Sequence, residues 1–219
     1  MRTKRTENYK AMLQAVAGGL IFAVVVLLPF LLLPKGIAWL VAALLLLPLI
    51  PVLESLLLTP LYRLNGRFVY YSTTLFVTRS DKGLQLHAGT LYDYLTLLRR
   101  HRLGRTMQRK LTHQLLQGLL GLCDDIAQGY IPPDTVVSAT SYFFSDRSAS
   151  RLGFSAADVS VTERFNLMTA ALSLAVRLSI SKGRVSWPDL NKIRQMQTTA
   201  ANLLAHRATI ERLLPSPAK

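Results

Sequence analysis

Three sets of side chains in this sequence have the types and spacing to do chemistry. His87 and Asp93 stand six positions apart in His87-Ala88-Gly89-Thr90-Leu91-Tyr92-Asp93. Brought together, an imidazole and a carboxylate make an oriented general base, so these two are the candidate catalytic residues. The plainer alternative is that Thr90 caps a helix, with Asp93 at the third position of a T-x-x-D box. The second set is basic: Arg99, Arg100, Arg102 and Arg105, extended by Arg109 and Lys110, with no acid between them. Cations that no acid neutralises repel one another and gain from an anionic partner such as a lipid headgroup, a nucleotide-type ligand or an acidic subunit. Otherwise they form a solvated face. The third set is Ser141, Ser145, Asp146 and Arg147, a polar turn between a strand and a helix, where α/β-type proteins often bind anions. Any strand-to-helix turn has the same look. Glu54 is the single acid in a long apolar stretch; deep burial would mark it as functional, whereas a place near a helix end costs little. Cys123 lies between Leu122 and Asp124 and reads as a small buried side chain. His113 and His206 stand alone, so no metal site is predicted. No motif names a cofactor.

One resemblance bears on the second and third sets. His101-Arg102-Leu103-Gly104-Arg105-Thr106 leads into a long helix and then a strand, followed by Ser145-Asp146-Arg147-Ser148-Ala149-Ser150-Arg151-Leu152-Gly153-Phe154. Over about a quarter of the chain this resembles the acetyl-CoA-binding and late A-x-x-x-G-F stretches of GNAT acyltransferases. It departs from them with His at the first position and Thr106 where Gly or Ala is expected. The resemblance implies an acyltransferase as the alternative function.

These side chains need elements to hold them, and the pattern of residues supplies a set. Arg67 to Thr78 is rich in β-branched and aromatic residues and predicts one strand. Ser80-Asp81-Lys82-Gly83 predicts a turn, Leu84 to Ala88 a returning strand, and Thr90 to Leu98 a short helix. From Arg105 to Gln128, Met107, Leu111, Leu115, Leu119, Leu122 and Ile126 recur at helical spacing, and Gly129 supplies a stop. Thr135 to Phe144 predicts a buried strand and Ser145 to Leu152 a helical turn closed by Gly153. Thr162 caps a predicted core helix from Glu163 to Ser181. Ser186-Trp187-Pro188-Asp189 starts a last helix that carries Leu190, Ile193, Met196, Ala200, Leu203 and Leu213 inward.

Composition places the chain. Of its 219 residues, 50% are hydrophobic and 17% charged, against about 25% charged in an ordinary soluble domain. Disorder is excluded, because it needs the opposite balance. The single cysteine excludes an internal disulfide framework. Ala11 to Pro34 and Ile37 to Leu58 are nearly free of charge, and as one rod they would reach about 70 Å, so Pro34-Lys35-Gly36 predicts a turn between two helices. The expectation is a two-helix transmembrane hairpin. A signal peptide or a shallow hairpin kinked by Pro29, Pro48 and Pro51 is the alternative. Arg2, Lys4, Arg5 and Lys10 before the hairpin and Arg63 and Arg67 after it predict a plasma (inner) membrane location with both termini cytoplasmic.

The expected fold class is α+β: residues 1–10 a basic N-terminus, 11–60 the membrane hairpin, 61–214 a mostly helical basic domain with a few strands, and 215–219 a flexible tail. From Leu61 onward 21 Lys and Arg face 10 Asp and Glu. The expected partners are therefore an anionic lipid bilayer and a protein in a membrane complex or a second copy of the chain. Nucleic acid is disfavoured, because the charge comes without zinc-finger spacing or an RNP-type aromatic motif. The function expected is a membrane-anchored accessory or scaffold protein that presents a basic domain. The alternative is an enzyme acting on a lipid or lipid-linked substrate.

Overall fold

The computed structural model describes residues 2–53, 59–98, 102–141, 146–157, 171–189 and 194–214. The chain divides into two compact units, residues 1–68 with 90–92 and residues 69–89 with 93–219.

In the first unit, α1 (Arg2–Leu32) and α2 (Lys35–Leu53) pack on each other, and α3 (Thr59–Leu64) packs on α1. Only Leu33 and Pro34 separate the first two helices, as the proline predicts. Ala38 and Ala42, one turn apart, are buried positions of α2, and the Phe30 and Trp39 rings meet edge to face at 4.8 Å. The transmembrane reading does not survive. Among the described residues no helix is long and apolar enough to cross a membrane. The helix that was to begin at residue 11 begins at Arg2 and carries Arg2, Lys4, Arg5, Glu7 and Lys10 as part of itself. The second, at 19 residues, spans about 28 Å at 1.5 Å per residue, starts at Lys35 and contains Pro48 and Pro51. The predicted membrane hairpin at 11–60 is thus corrected to a helical pair, and the integral inner-membrane location that rested on it falls with it.

The second unit is built on a sheet. Its described strands are β1 (Phe68–Ser72, begun from the first unit), β2 (Leu75–Ser80), β3 (Gly83–Ala88), β4 (Val136–Ser141), β5 (Ser155–Ala157) and β6 (Arg194–Thr199), in the order β1-β2-β3-β4-β6-β5. The β2–β3, β4–β6 and β5–β6 pairs are antiparallel, while β3 and β4 run parallel. A parallel pair needs a long crossover, and it is made by α4 (Leu91–Leu98) and α5 (Arg105–Ala127). The remaining described helices are α6 (Asp146–Arg151), α7 (Ala171–Lys182), α8 (Ala200–Ala205) and α9 (Arg207–Leu213).

Strand period dictates which face is buried. Leu75, Val77, Leu84, Leu86, Val137 and Met196 share one face and form the core with Leu116, Leu119, Leu122 and Ile126 of α5 and Leu203 of α8. Gln85, His87, Ser138 and Gln197 point the other way and are half-buried. α5 matches its predicted span to within a residue, and the Gly129 amide donates to the Ile126 carbonyl at 3.0 Å to close it.

Three element predictions need correction. The single strand over 67–78 is two strands, because the chain turns at Thr73-Thr74. The last helix does not start at 186: residues 185–189 are neither helix nor strand, and 194–199 are β6. There Met196 and Thr198 alternate inward with Gln195 and Gln197, and pairing with β4 overrides local helix preference. A mostly helical domain with a few strands is therefore a mixed six-stranded sheet with helices. The start of the predicted 163–181 helix lies outside the described residues; its remainder is α7.

Candidate functional site

The basic cluster is larger than the sequence suggests. Gly104 is the N-cap of α5, and no side chain caps the helix there. The end of α7 runs directly against it: a Cβ on Gly183 would lie 2.9 Å from the Gly104 amide nitrogen. This contact brings Lys182 and Arg184 to the same junction as Arg102, Arg105 and Arg109, all five exposed. None makes an ion pair with a described carboxylate. Arg207 does, with Asp124 at 2.6 Å and Glu211 at 3.0 Å. The positive end of the α5 dipole adds to the field of the five side chains. Lys110 is half-buried one step along α5. Arg99 and Arg100 lie outside the described residues. Sequence spacing alone did not reveal Lys182 and Arg184, because Lys182-Gly183-Arg184 reads as a helix stop.

His87 and Asp93 are each engaged elsewhere. The His87 ring stacks on Phe76, its cross-strand partner on β2, with centroids 5.1 Å apart. Its Nε2 is 2.9 Å from Thr78 Oγ1. Asp93 accepts from the Tyr70 hydroxyl at 3.4 Å and lies against Gly89. Burial, assisted by the Arg177 guanidinium, pushes the imidazole down to about 4, so it is neutral at pH 7. Arg177 is itself held by the Gly89 carbonyl, which accepts from Nη1 at 2.9 Å.

A pH dependence follows. The unfolded chain protonates His87 near 6.5 and the folded chain only near 4, so its contribution is complete above about pH 6.5 and is lost as pH falls toward 4. The loss amounts to about 3 kcal/mol. Urea unfolding at pH 7.5, 5.5 and 4.5 is expected to show this slope, and His87→Gln to flatten it.

A pocket of about 280 Å³ lies between the core face of the sheet and the helices. Its apolar lining includes Leu75, Leu86, Leu111, Leu115, Leu119, Ala139, Leu152, Phe154 and Met196. Thr74, Tyr94, Gln108, Thr112, Thr140 and Ser181 supply polar atoms. Among these Thr74 stands out: it is 4% exposed, and its Oγ1 has no hydrogen-bond partner. In sequence it is one threonine among several in a β-rich run, and nothing distinguishes it there.

The polar turn after β4 is only partly described. Ser141 ends β4 and Asp146 begins α6, but their side chains, and Ser145 altogether, lie outside the described residues, as does Glu54. Arg147 is exposed. In a shallow groove lined by Ser150, Gly153, Thr198 and His206, Asn202 donates from Nδ2 to the Gly153 carbonyl at 2.7 Å and to Thr198 Oγ1 at 3.0 Å. Cys123 is fully buried on α5, with its thiol pushed up to about 11 chiefly by burial, which makes it a poor nucleophile. Among the described residues no three His, Cys, Asp or Glu side chains group as metal ligands.

No protein-family profile, curated protein or solved structure matches this chain. Of the residues behind the GNAT resemblance, Ala149, Leu152 and Phe154 are core, and Gly153 turns the chain with φ 80°.

Proposed function

We propose that this protein is a non-catalytic accessory subunit whose second unit docks an acidic protein surface through the junction of α5 and α7. The observation that carries this reading is the convergence of Arg102, Arg105, Arg109, Lys182 and Arg184 from two distant stretches of chain, exposed and without carboxylate partners among the described residues. Isolated surface cations are commonplace. Five gathered on one spot, at an uncapped helix start, repel one another until an anion arrives, and such a patch steers an acidic partner and fixes its orientation. A hydrolytic or transfer role finds less support, because His87 is neutral and held by Phe76 and Thr78 while Asp93 is bonded to Tyr70.

The test uses the full chain and poly-glutamate as the acidic probe. Retention is expected at about 50 mM salt and is expected to weaken steeply toward about 500 mM, as screening shortens the reach of the field. The triple variant Arg105→Glu, Arg109→Glu, Lys182→Glu should lose at least about tenfold in affinity without a change in melting temperature, because all three side chains are exposed. Retention that the triple variant leaves untouched would sink the reading. Tighter binding to duplex DNA than to poly-glutamate would replace the protein partner with a nucleic acid.

A further inference from the structure

The cavity under the core face of the sheet owes nothing to the basic junction and calls for a different kind of molecule. We propose that it binds one neutral, mostly apolar small molecule of about ten to fifteen non-hydrogen atoms, whose single hydroxyl or carbonyl group meets Thr74 Oγ1. Four observations converge on that chemistry.

Size comes first. A cavity of about 150 Å³ lined by aliphatic and aromatic side chains holds a benzene ring, so 280 Å³ has room for a fused two-ring body. It lies at the small end of ordinary ligand pockets. The wall comes second: Leu75, Leu86, Leu119, Ala139, Phe154 and Met196 meet an occupant with carbon and sulfur. Charge comes third. Among the described residues no Asp, Glu, Lys or Arg lines the space, so a charged molecule would shed its hydration and find no counter-charge.

The fourth observation is Thr74 itself. Thr74 is 4% exposed, and its hydroxyl has no hydrogen-bond partner among the described residues. Buried polar atoms in folded proteins are nearly always paired, and exceptions call for an explanation. Valine would fill the same shape without the unsatisfied oxygen. The backbone here is fixed as well, because the Thr74 carbonyl accepts from the Gly89 amide at 2.7 Å. The hydroxyl is sealed in the wall beside the cavity, and a turn about the Thr74 Cα–Cβ bond would bring it to an occupant, able to donate or accept.

Fluorescence titration of the full chain with 2-naphthol tests this, with naphthalene as the partner-free analogue and naphthalene-2-sulfonate as the charged one. Saturable one-to-one binding of 2-naphthol is expected, at least about tenfold tighter than the sulfonate. Thr74→Val should weaken 2-naphthol by about five- to tenfold and leave naphthalene unchanged. That variant is expected to melt at or above the parent temperature in the absence of probe, because it removes an unpaired hydroxyl. Ala139→Phe, which fills the space, should abolish binding of both neutral probes. Three results would each overturn the proposal: no saturable binding of 2-naphthol, a sulfonate that binds equally well, or a Thr74→Val variant that treats 2-naphthol and naphthalene alike. The Thr74→Val comparison is decisive even if Ala139→Phe fails to fold. None of these outcomes touches the poly-glutamate result, so the two readings stand or fall separately.

Discussion

Gly83→Ala is expected to destabilise the second unit by about 3 kcal/mol or more, the largest single-atom effect in the molecule. Gly83 opens β3 with φ 121°, a conformation L side chains rarely adopt, and a Cβ there would lie 2.2 Å from the Val136 carbonyl oxygen and 3.1 Å from its carbon. The obstacle is the backbone of β4 at the start of the parallel β3–β4 register, where Leu84 pairs with Val137. A rotamer change cannot relieve it; the strands must part. Gly129→Ala is the control, because Gly129 has φ 78° with nothing within 4 Å and so carries the conformational penalty alone, about 1 kcal/mol. Urea midpoints of the two variants should differ by the cost of the collision. Equal midpoints would show that β3 and β4 are not adjacent in this register.

Leu122→Ala should cost about 2–5 kcal/mol, a large share of the about 5–15 kcal/mol that holds a typical domain together. Leu122 is 0% exposed on the inward stripe of α5, beside Leu119, Cys123 and Ile126, and faces the apolar side of the sheet. Truncation removes favourable transfer of the side chain from water and leaves a void that the flanking helix and strands can only partly close. Val185→Ala provides the contrast: at 98% exposure it should move stability by less than about 0.5 kcal/mol. Denaturant titration with an unchanged slope checks both. A Leu122→Ala midpoint close to that of Val185→Ala would mean that α5 does not pack as described.

Parts of this architecture are legible in the sequence because local signals and tertiary packing agree. α5 is an example: six apolar side chains at helical spacing, then Gly129, describe a helix that buries one stripe, and the core uses that stripe. The Asp81-Lys82 turn and the strand from 83 to 88 are equally local. β6 is not, because Arg194-Gln-Met-Gln-Thr-Thr has no strong strand preference and becomes a strand only by lying between β4 and β5. The hairpin misleads in the opposite way. Its apolar runs are real, and Leu20, Leu31, Trp39 and Leu40 are exposed, yet low charge by itself does not establish a helix fit to cross a membrane. The candidate site divides along the same line. Consecutive arginines are visible by eye, whereas their neighbours Lys182 and Arg184, and the unpaired hydroxyl of Thr74, emerge only when distant segments meet.

The strand order also bears on biosynthesis. β6 follows β4 and β5 in the chain yet lies between them in the sheet, so a nascent chain released by the ribosome up to residue 190 still lacks the strand that joins the edge strand β5 to β4. Until the last stretch emerges, β4 and β5 present unpaired edges that can recruit another chain. Production of this protein should depend on holdase chaperones during translation, and nonsense truncation before β6 should send the product to proteolysis rather than yield a shorter working form.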